Sequence, residues 1–199
     1  MSQLKNFRSL GKKIVCIGRN YREHAAELNN PVPSKPLLFS KTTNSYLAEG
    51  EGKIQTPFGC KNLHFEVELG VIISKRAKQI SQDNAFDYIG GYTIALDMTA
   101  RDWQDELKKQ GHPWFISKSY DSSCPVGEFV SKEKIKQQGM TSDMIFSIPV
   151  MLEYITKFVT LEVGDLVLTG TPAGVGPCKS GDKLDIGITD VTSAQFEVE

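Results

Sequence analysis

Two glutamates, Glu66 and Glu68, lie inside HFEVELGVIIS (64–74), a stretch that otherwise reads as a core strand. Residues two apart in a strand face the same way, so His64, Glu66, Glu68 and Gly70 form one face. Phe65, Val67, Leu69, Val71 and Ile73 form the other. Glutamate is depleted in strands, and like charges side by side on one face repel. Either that face meets water, or something cationic sits between the carboxylates. A divalent ion would do so. Two carboxylates from one strand and a third from a neighbour make a hard oxygen site, suited to Mg2+, Mn2+ or Ca2+ rather than zinc. Asp97, in IALDMTARD, is the candidate third ligand, at the end of an apolar run. Its alternative reading is a polar residue leading into a helix capped by Thr99.

Other residues have types and spacing that suit chemistry. NYREHAAEL puts His24 and Glu27 three apart on a helix, where they can touch. A carboxylate beside an imidazole orients it and raises its basicity, as a general base requires. TARDWQDE puts Arg101 and Gln104 one turn apart, where Arg101 could hold a substrate carboxylate or simply belong to a solvated face. Lys118, in PWFISKSYD, follows an aromatic-rich loop and is placed either to stabilise a developing oxyanion or as a surface charge. LTGTPAGVG (168–176) has three glycines and a proline around Thr171, the composition of a tight turn whose N–H groups can cradle an anion. It lacks the G-K-S/T ending of a P-loop.

The elements that must position these residues are mostly strands. KIVCIG (13–18), LLFSKT (37–42), 64–74 and YIGGYTIALDM (88–98) read as strands, as do VGDLVLTG, GDKLDIGITD and AQFEVE near the end. NYREHAAEL (20–28), TARDWQDELKKQG (99–111) and SIPVMLEYITKFV (147–159) read as helices. In the second of these Thr99 is the expected cap and Gly111 the stop. There is no regular β-α-β alternation and no repeat, so the expected class is α+β, mostly β. The expected organisation is a short basic, solvated arm over residues 1–12 and a single catalytic domain over 13–199. With 23 basic and 24 acidic residues the formal charge is −1, which gives no ground for a nucleic-acid partner. Apolar runs are too short to cross a bilayer. The four cysteines form no C-x-x-C pair and read as free thiols.

Taken in order, GRNYREHAAE, KPLLFSK, HFEVELGVII, YIGGYTIALDMTARDWQ, PWFISKSYDSSCPVG, DMIFSIP and GDLVLTGTPAGVG resemble the fumarylacetoacetate hydrolase (FAH) family. The resemblance runs from about Lys13 to the C-terminus, nearest to the branch acting on acylpyruvates and oxaloacetate. It implies an FAH-type mixed β-sandwich roll, a homodimer and a mitochondrial or cytoplasmic location. It implies Glu66, Glu68 and Asp97 as ligands of Mg2+ or Mn2+. It implies His24 and Glu27 as a water-activating pair on a lid, with Lys118 catalytic. Arg101, Gln104 and Thr171 then hold the substrate's carboxylate and oxo groups. The implied substrates are small 2-oxo acids: acylpyruvates hydrolysed to pyruvate and a carboxylic acid, or oxaloacetate decarboxylated or tautomerised through an enolate that the cation stabilises.

The match breaks in one place. Between Glu133 and Met144 the chain reads EKIKQQGMTSDM, where the family carries a hairpin. Roughly 15 residues are missing, enough for about two strands at usual lengths. The alternative expectation is therefore a shortened, catalytically inactive family member acting as a binding or regulatory protein.

Overall fold

The computed structural model describes residues 2–132 and 143–199. The shortened stretch inferred around 135–141 lies outside the described residues. In chain order the elements are a 3-10 turn (Ser2–Asn6), α1 (Phe7–Leu10), β1 (Ile14–Gly18), α2 (Arg22–Glu27) and β2 (Leu37–Lys41). Then come β3 (Tyr46–Ala48), β4 (Leu63–Phe65), β5 (Val67–Ile73), β6 (Ile89–Leu96), β7 (Thr99–Ala100), α3 (Arg101–Gln110) and α4 (Phe115–Lys118). After β8 (Cys124–Val126) and β9 (Val130–Ser131) follow α5 (Ile148–Phe158), β10 (Leu166–Leu168), β11 (Gly176–Cys178), β12 (Lys183–Ile188) and β13 (Thr192–Glu197). The class is α+β with strands predominating, as the sequence indicates.

The main sheet runs β2-β1-β10-β5-β6-β8-β3, with β9 also paired to β6. It is mixed: β1 runs parallel to β10 and β3 to β8, while β5 pairs antiparallel with both β10 and β6. Its middle strands are buried on both faces, which is why they read as continuous apolar runs. On one face Val15, Ile17, Val71, Ile73 and Val167 pack with Ile148, Leu152 and Ile155 of α5. On the other, Ile14, Cys16, Ile72, Leu166 and Leu168 pack with Leu4 and Phe7. The basic side chain of Lys5 is exposed, but Leu4 and Phe7 are core residues, so the expected solvated arm is a folded segment. Its apolar residues find a sheet face that one-dimensional charge counting does not reveal.

Two local expectations change at the site. The single strand over 64–74 is two strands, because β4 pairs with β7 and β11 while β5 belongs to the main sheet. Glu66 stands at the break, where its carbonyl accepts the Asp97 N–H at 2.8 Å. The helix expected from Thr99 begins at Arg101, and no side-chain cap bonds its first turn. Thr99 instead belongs to β7. The helix does end at Gly111, in the left-handed conformation (φ 69°) that glycine adopts without a Cβ penalty.

Candidate metal and 2-oxo acid site

The strand break brings three carboxylates together. Glu66, Glu68 and Asp97 are all buried, and one oxygen from each lies within 4.8 Å of the others. The glutamate face is therefore the dry face. Glu66 and Glu68 are about 5% and 3% exposed, while Phe65, Val67 and Leu69 are only partly buried. Donors from α3, α4 and the glycine loop hold the carboxylates. Arg101, from the first turn of α3, donates to Glu66 Oε1 and, at 2.6 Å, to Gln104 Oε1. Lys118, from the end of α4, directs its three protons to Glu66 Oε2 (3.0 Å), Asp97 Oδ2 (2.6 Å) and Thr99 Oγ1 (2.6 Å). Glu68 Oε2 accepts the Gly170 N–H at 2.7 Å. Gly170 (φ 95°) approaches Asn20 so closely that a Cβ would lie 2.7 Å from the Asn20 Cβ, so glycine is needed there.

A further lysine enters that sequence reading did not single out. Lys41, at the end of β2, is buried, with Nζ 2.8 Å from Asp97 Oδ1. It donates to the carbonyls of Met98 (3.2 Å), Ser123 (2.9 Å) and Lys118. An ammonium has three protons, and three carbonyls take them. The contact with Asp97 is therefore one of charge. Asp97 Oδ1 remains buried without a directed hydrogen bond among the described residues.

The electrostatics split the two glutamates. Burial pushes the Glu66 carboxyl up, but the Lys118 and Arg101 charges outweigh it and hold Glu66 well below the ordinary range. For Glu68, burial and the neighbouring Asp97 and Glu66 charges push the same way, and the carboxyl is held well above it. Burial lowers the affinity of Lys118 for its proton, yet Asp97 and Glu66 more than restore it. Repulsion among three buried carboxylates is what a hard divalent ion relieves, so the residues fit such a group.

The other candidates surround this centre. His24 is buried, and its Nδ1 lies 3.4 Å from Glu27 Oε2. Glu27 also accepts the Gly174 N–H at 3.1 Å, which ties α2 to the glycine loop. His24, Arg101, Gln104, Lys118 and Thr171 line one cleft with the three acids. Glu27 touches His24 but is not among the residues lining the cleft. Arg19, Phe39, Lys108 and Trp114 also line this cleft, although the sequence reading gives none of them a role. Asn20 was missed too. Fully buried, it donates to the Thr169 carbonyl (2.8 Å) and accepts the Phe146 N–H (2.8 Å), so it braces the glycine loop. A larger open cleft, about 770 Å3 in volume, lies elsewhere between Arg8, Glu51 and Phe129. It gathers no comparable set of groups, so the acidic cleft is the better candidate.

Comparison with known proteins gives the family. The sequence profile described as fumarylacetoacetate (FAA) hydrolase C-terminal matches residues 13–136 and 130–199. An oxaloacetate tautomerase of Caenorhabditis elegans, named as mitochondrial, is 55% identical over 100% of both chains. That alignment has 215 positions against the 199 residues here, which leaves 16 positions without a residue of this chain. A mitochondrial oxaloacetate decarboxylase of Dictyostelium discoideum is 45% identical, over 98% of this chain and 97% of that one. The crystal structure of fumarylpyruvate hydrolase from Pseudomonas aeruginosa, in complex with Mn2+ and pyruvate, superposes with a TM-score of 0.86. It is 30% identical and covers 94% of this chain and 88% of that one. With matches over nearly its whole length, the chain belongs to the fumarylacetoacetate hydrolase family.

Proposed function

We propose that this chain is an enzyme of small 2-oxo acids that works with a divalent cation, Mg2+ or Mn2+, held by Glu66, Glu68 and Asp97. The observation that carries this reading is the buried triad of carboxylates with one oxygen from each within 4.8 Å of the others. The Mn2+ and pyruvate in the Pseudomonas relative and the oxaloacetate activities named for the nematode and slime-mould relatives support it. When bound, such a cation supplies Lewis-acid stabilisation of negative charge on the 2-oxo oxygen.

The chain's own residues do the rest. Arg101 and Gln104 grip the substrate carboxylate, and Thr171 adds a hydroxyl donor. His24, oriented by Glu27, removes a proton from water as it attacks the distal carbonyl of an acylpyruvate. The C–C bond then breaks, and the released enolate takes a proton to become pyruvate beside a carboxylic acid. Lys118 places a positive charge near the developing enolate. Oxaloacetate needs no water. Loss of CO2 yields the same enolate, and moving a proton between C3 and the 2-oxo oxygen interconverts its keto and enol forms. In this reading residues 13–199 form one catalytic domain. The chain works in mitochondria, as the nematode and slime-mould relatives are named, and pairs as the homodimer that the family resemblance implies.

A second reading is a shortened, inactive member that still binds ligands. The 16 unmatched alignment positions favour it, and the intact triad opposes it. The deciding experiment follows the enol absorbance of acetylpyruvate and of oxaloacetate with Mg2+, then with EDTA. Turnover that EDTA abolishes and Mg2+ restores is expected. Turnover indifferent to EDTA would overturn the metal-dependent reading, and a folded chain with no turnover would favour the inactive one.

A further inference from the structure

Cys60 and Cys178 take no part in the acidic cleft, yet both lie close to the segment that supports it. Each is half-buried, whereas Cys16 and Cys124 are sealed in the core, out of reach of an oxidant. β4 and β11 pair antiparallel with Cys178 opposite Leu63. Cys60 stands three residues before Leu63, in a turn closed by its N–H on the Pro57 carbonyl at 2.9 Å. Both side chains pack against the same apolar cluster, which includes Leu63, Met98 and Phe196. They are near enough that a charge on Cys60 opposes ionisation of Cys178. Both also bear on Tyr120, which feels Asp97 and Glu66 as well and whose buried hydroxyl has no hydrogen-bond partner among the described residues.

The Cys60 loop is the clasp of α3. The Cys60 thiol donates to Asp102 Oδ1 at 3.3 Å, and the Lys61 N–H donates to Asp102 Oδ2 at 2.9 Å. The Asn62 carbonyl accepts the Arg101 N–H at 2.8 Å. Three consecutive residues thus hold the first turn of a helix that no side chain caps. That turn brings Arg101 and Gln104 to the acidic cleft. The Cys178 thiol donates to the Leu63 carbonyl at 3.6 Å, just beyond the same loop. A sulfur in a disulfide has no proton, so a Cys60 that bonds Cys178 can no longer donate to Asp102.

We propose that Cys60 and Cys178 are a modification site, a thiol pair that a small disulfide oxidises to one reversible intramolecular disulfide, loosening the first turn of α3. One thiolate attacks the small disulfide, RS–SR, and expels RS−. The second thiolate attacks the resulting mixed disulfide at the protein sulfur and expels the other RS−. The protein pair is oxidised, the small disulfide is reduced, and the two thiol protons end on two RSH molecules. Burial pushes both thiols up to about 11, so thiolate is scarce at neutral pH and the exchange is slow. The pair therefore answers sustained oxidation rather than a brief pulse.

The test incubates the folded chain with glutathione disulfide and digests it with trypsin without reduction. The expected product is a cross-link between peptides 54–61 and 158–179, in a chain that has lost two hydrogens and kept no glutathione. Amide hydrogen exchange in the first turn of α3 rises by about threefold, and dithiothreitol reverses it. In Cys60→Ser and in Cys178→Ser the reaction stops at a glutathione adduct, so either variant serves if the other disturbs folding. Cys60→Ser keeps a hydroxyl for Asp102 and shows no rise in exchange on oxidation. The KM for oxaloacetate rises on oxidation by more than kcat falls; this consequence rests on the 2-oxo acid reading, and the cross-link and the exchange do not. A stable glutathione adduct on the natural chain without a cross-link, or a cross-link to Cys16 or Cys124, would overturn the pair. A cross-link with unchanged exchange in α3 would overturn its effect on the helix. The cross-link and faster exchange in a chain that turns over no 2-oxo acid would support the pair and count against the 2-oxo acid reading alone.

Discussion

Asp165 and the Glu66–Glu68–Asp97 triad are both acidic and both buried, but their surroundings differ. Asp165 accepts three backbone N–H groups, from Lys12 (2.7 Å), Lys13 (3.2 Å) and Glu162 (2.8 Å), and pairs with Lys13 Nζ at 2.5 Å. It fastens the start of β1 to the start of β10, and neither of its oxygens lacks a partner. In the triad Glu68 accepts a single backbone N–H, and Asp97 Oδ1 has no directed donor among the described residues. A carboxylate that serves the fold is satisfied by the fold. One that serves a ligand is left short, and cations are placed around it.

Changes to the two regions should therefore have opposite signatures. The largest effect is on turnover. Glu68→Gln keeps the acceptor for the Gly170 N–H but removes a metal-ligand charge, so Mg2+-dependent turnover falls by about a thousandfold or more, equivalent to several kcal/mol of lost stabilisation. The melting temperature of the metal-free protein stays within about 3 °C, because burial and the Asp97 and Glu66 charges already oppose ionisation of Glu68 there. Melting curves and steady-state rates on the same samples check both halves. A large loss of stability with normal turnover would reverse the roles assigned to the two regions.

Asp165→Ala should do the opposite. Breaking a buried pair costs about 3–5 kcal/mol, a drop of roughly 6–20 °C in melting temperature for a chain of this size. The folded fraction at low temperature should retain its rate within about twofold. Denaturant titration beside the enol assay distinguishes this from a site effect.

A third effect is intermediate. His24→Gln removes the group proposed to activate water, so acetylpyruvate hydrolysis is expected to fall by about a hundredfold. Oxaloacetate decarboxylation, which needs no water, falls much less. Equal losses on both substrates would remove His24 from the water-activating role.

The smallest expected effect is in pH. In the metal-free chain Glu68 binds its proton more tightly than in the unfolded chain, because burial and the Asp97 and Glu66 charges oppose ionisation. Its contribution to stability is present below the unfolded pKa and is lost as pH rises through the raised folded one. Metal binding must expel this proton. Mn2+ affinity therefore rises with pH below the folded pKa, by up to about tenfold per unit, and levels off above it. Calorimetry in buffers of different ionisation enthalpy would show the released proton. A flat pH dependence would contradict the assignment of Glu68.

The sequence made the strands and the two longer helices legible, because their apolar residues follow local rules: alternation, continuous runs and a glycine stop at Gly111. It also made the triad and the His24–Glu27 pair legible, because charges inside a strand and an i, i+3 pair are anomalies of spacing. What it hid depends on distant contacts. The break at Glu66 arises because β4 and β5 join different sheets. Thr99 reads as a cap, but its hydroxyl serves Lys118 and the Asp97 carbonyl. Lys41 is decided by carbonyls at positions 98, 118 and 123, which no local pattern ties to LLFSKT. Arg19 is turned into the cleft by a left-handed backbone, and Asn20 is committed to a loop about 150 residues later.

The most direct test of the central claim is a calorimetric titration of Mn2+ into the metal-free chain and into Asp97→Asn, with the fold of each checked by a melting curve. The account predicts one saturable site per chain, a higher melting temperature with Mn2+, and loss of both in the folded variant. Absence of saturable binding by the folded natural chain, or equal binding by Asp97→Asn, would contradict it.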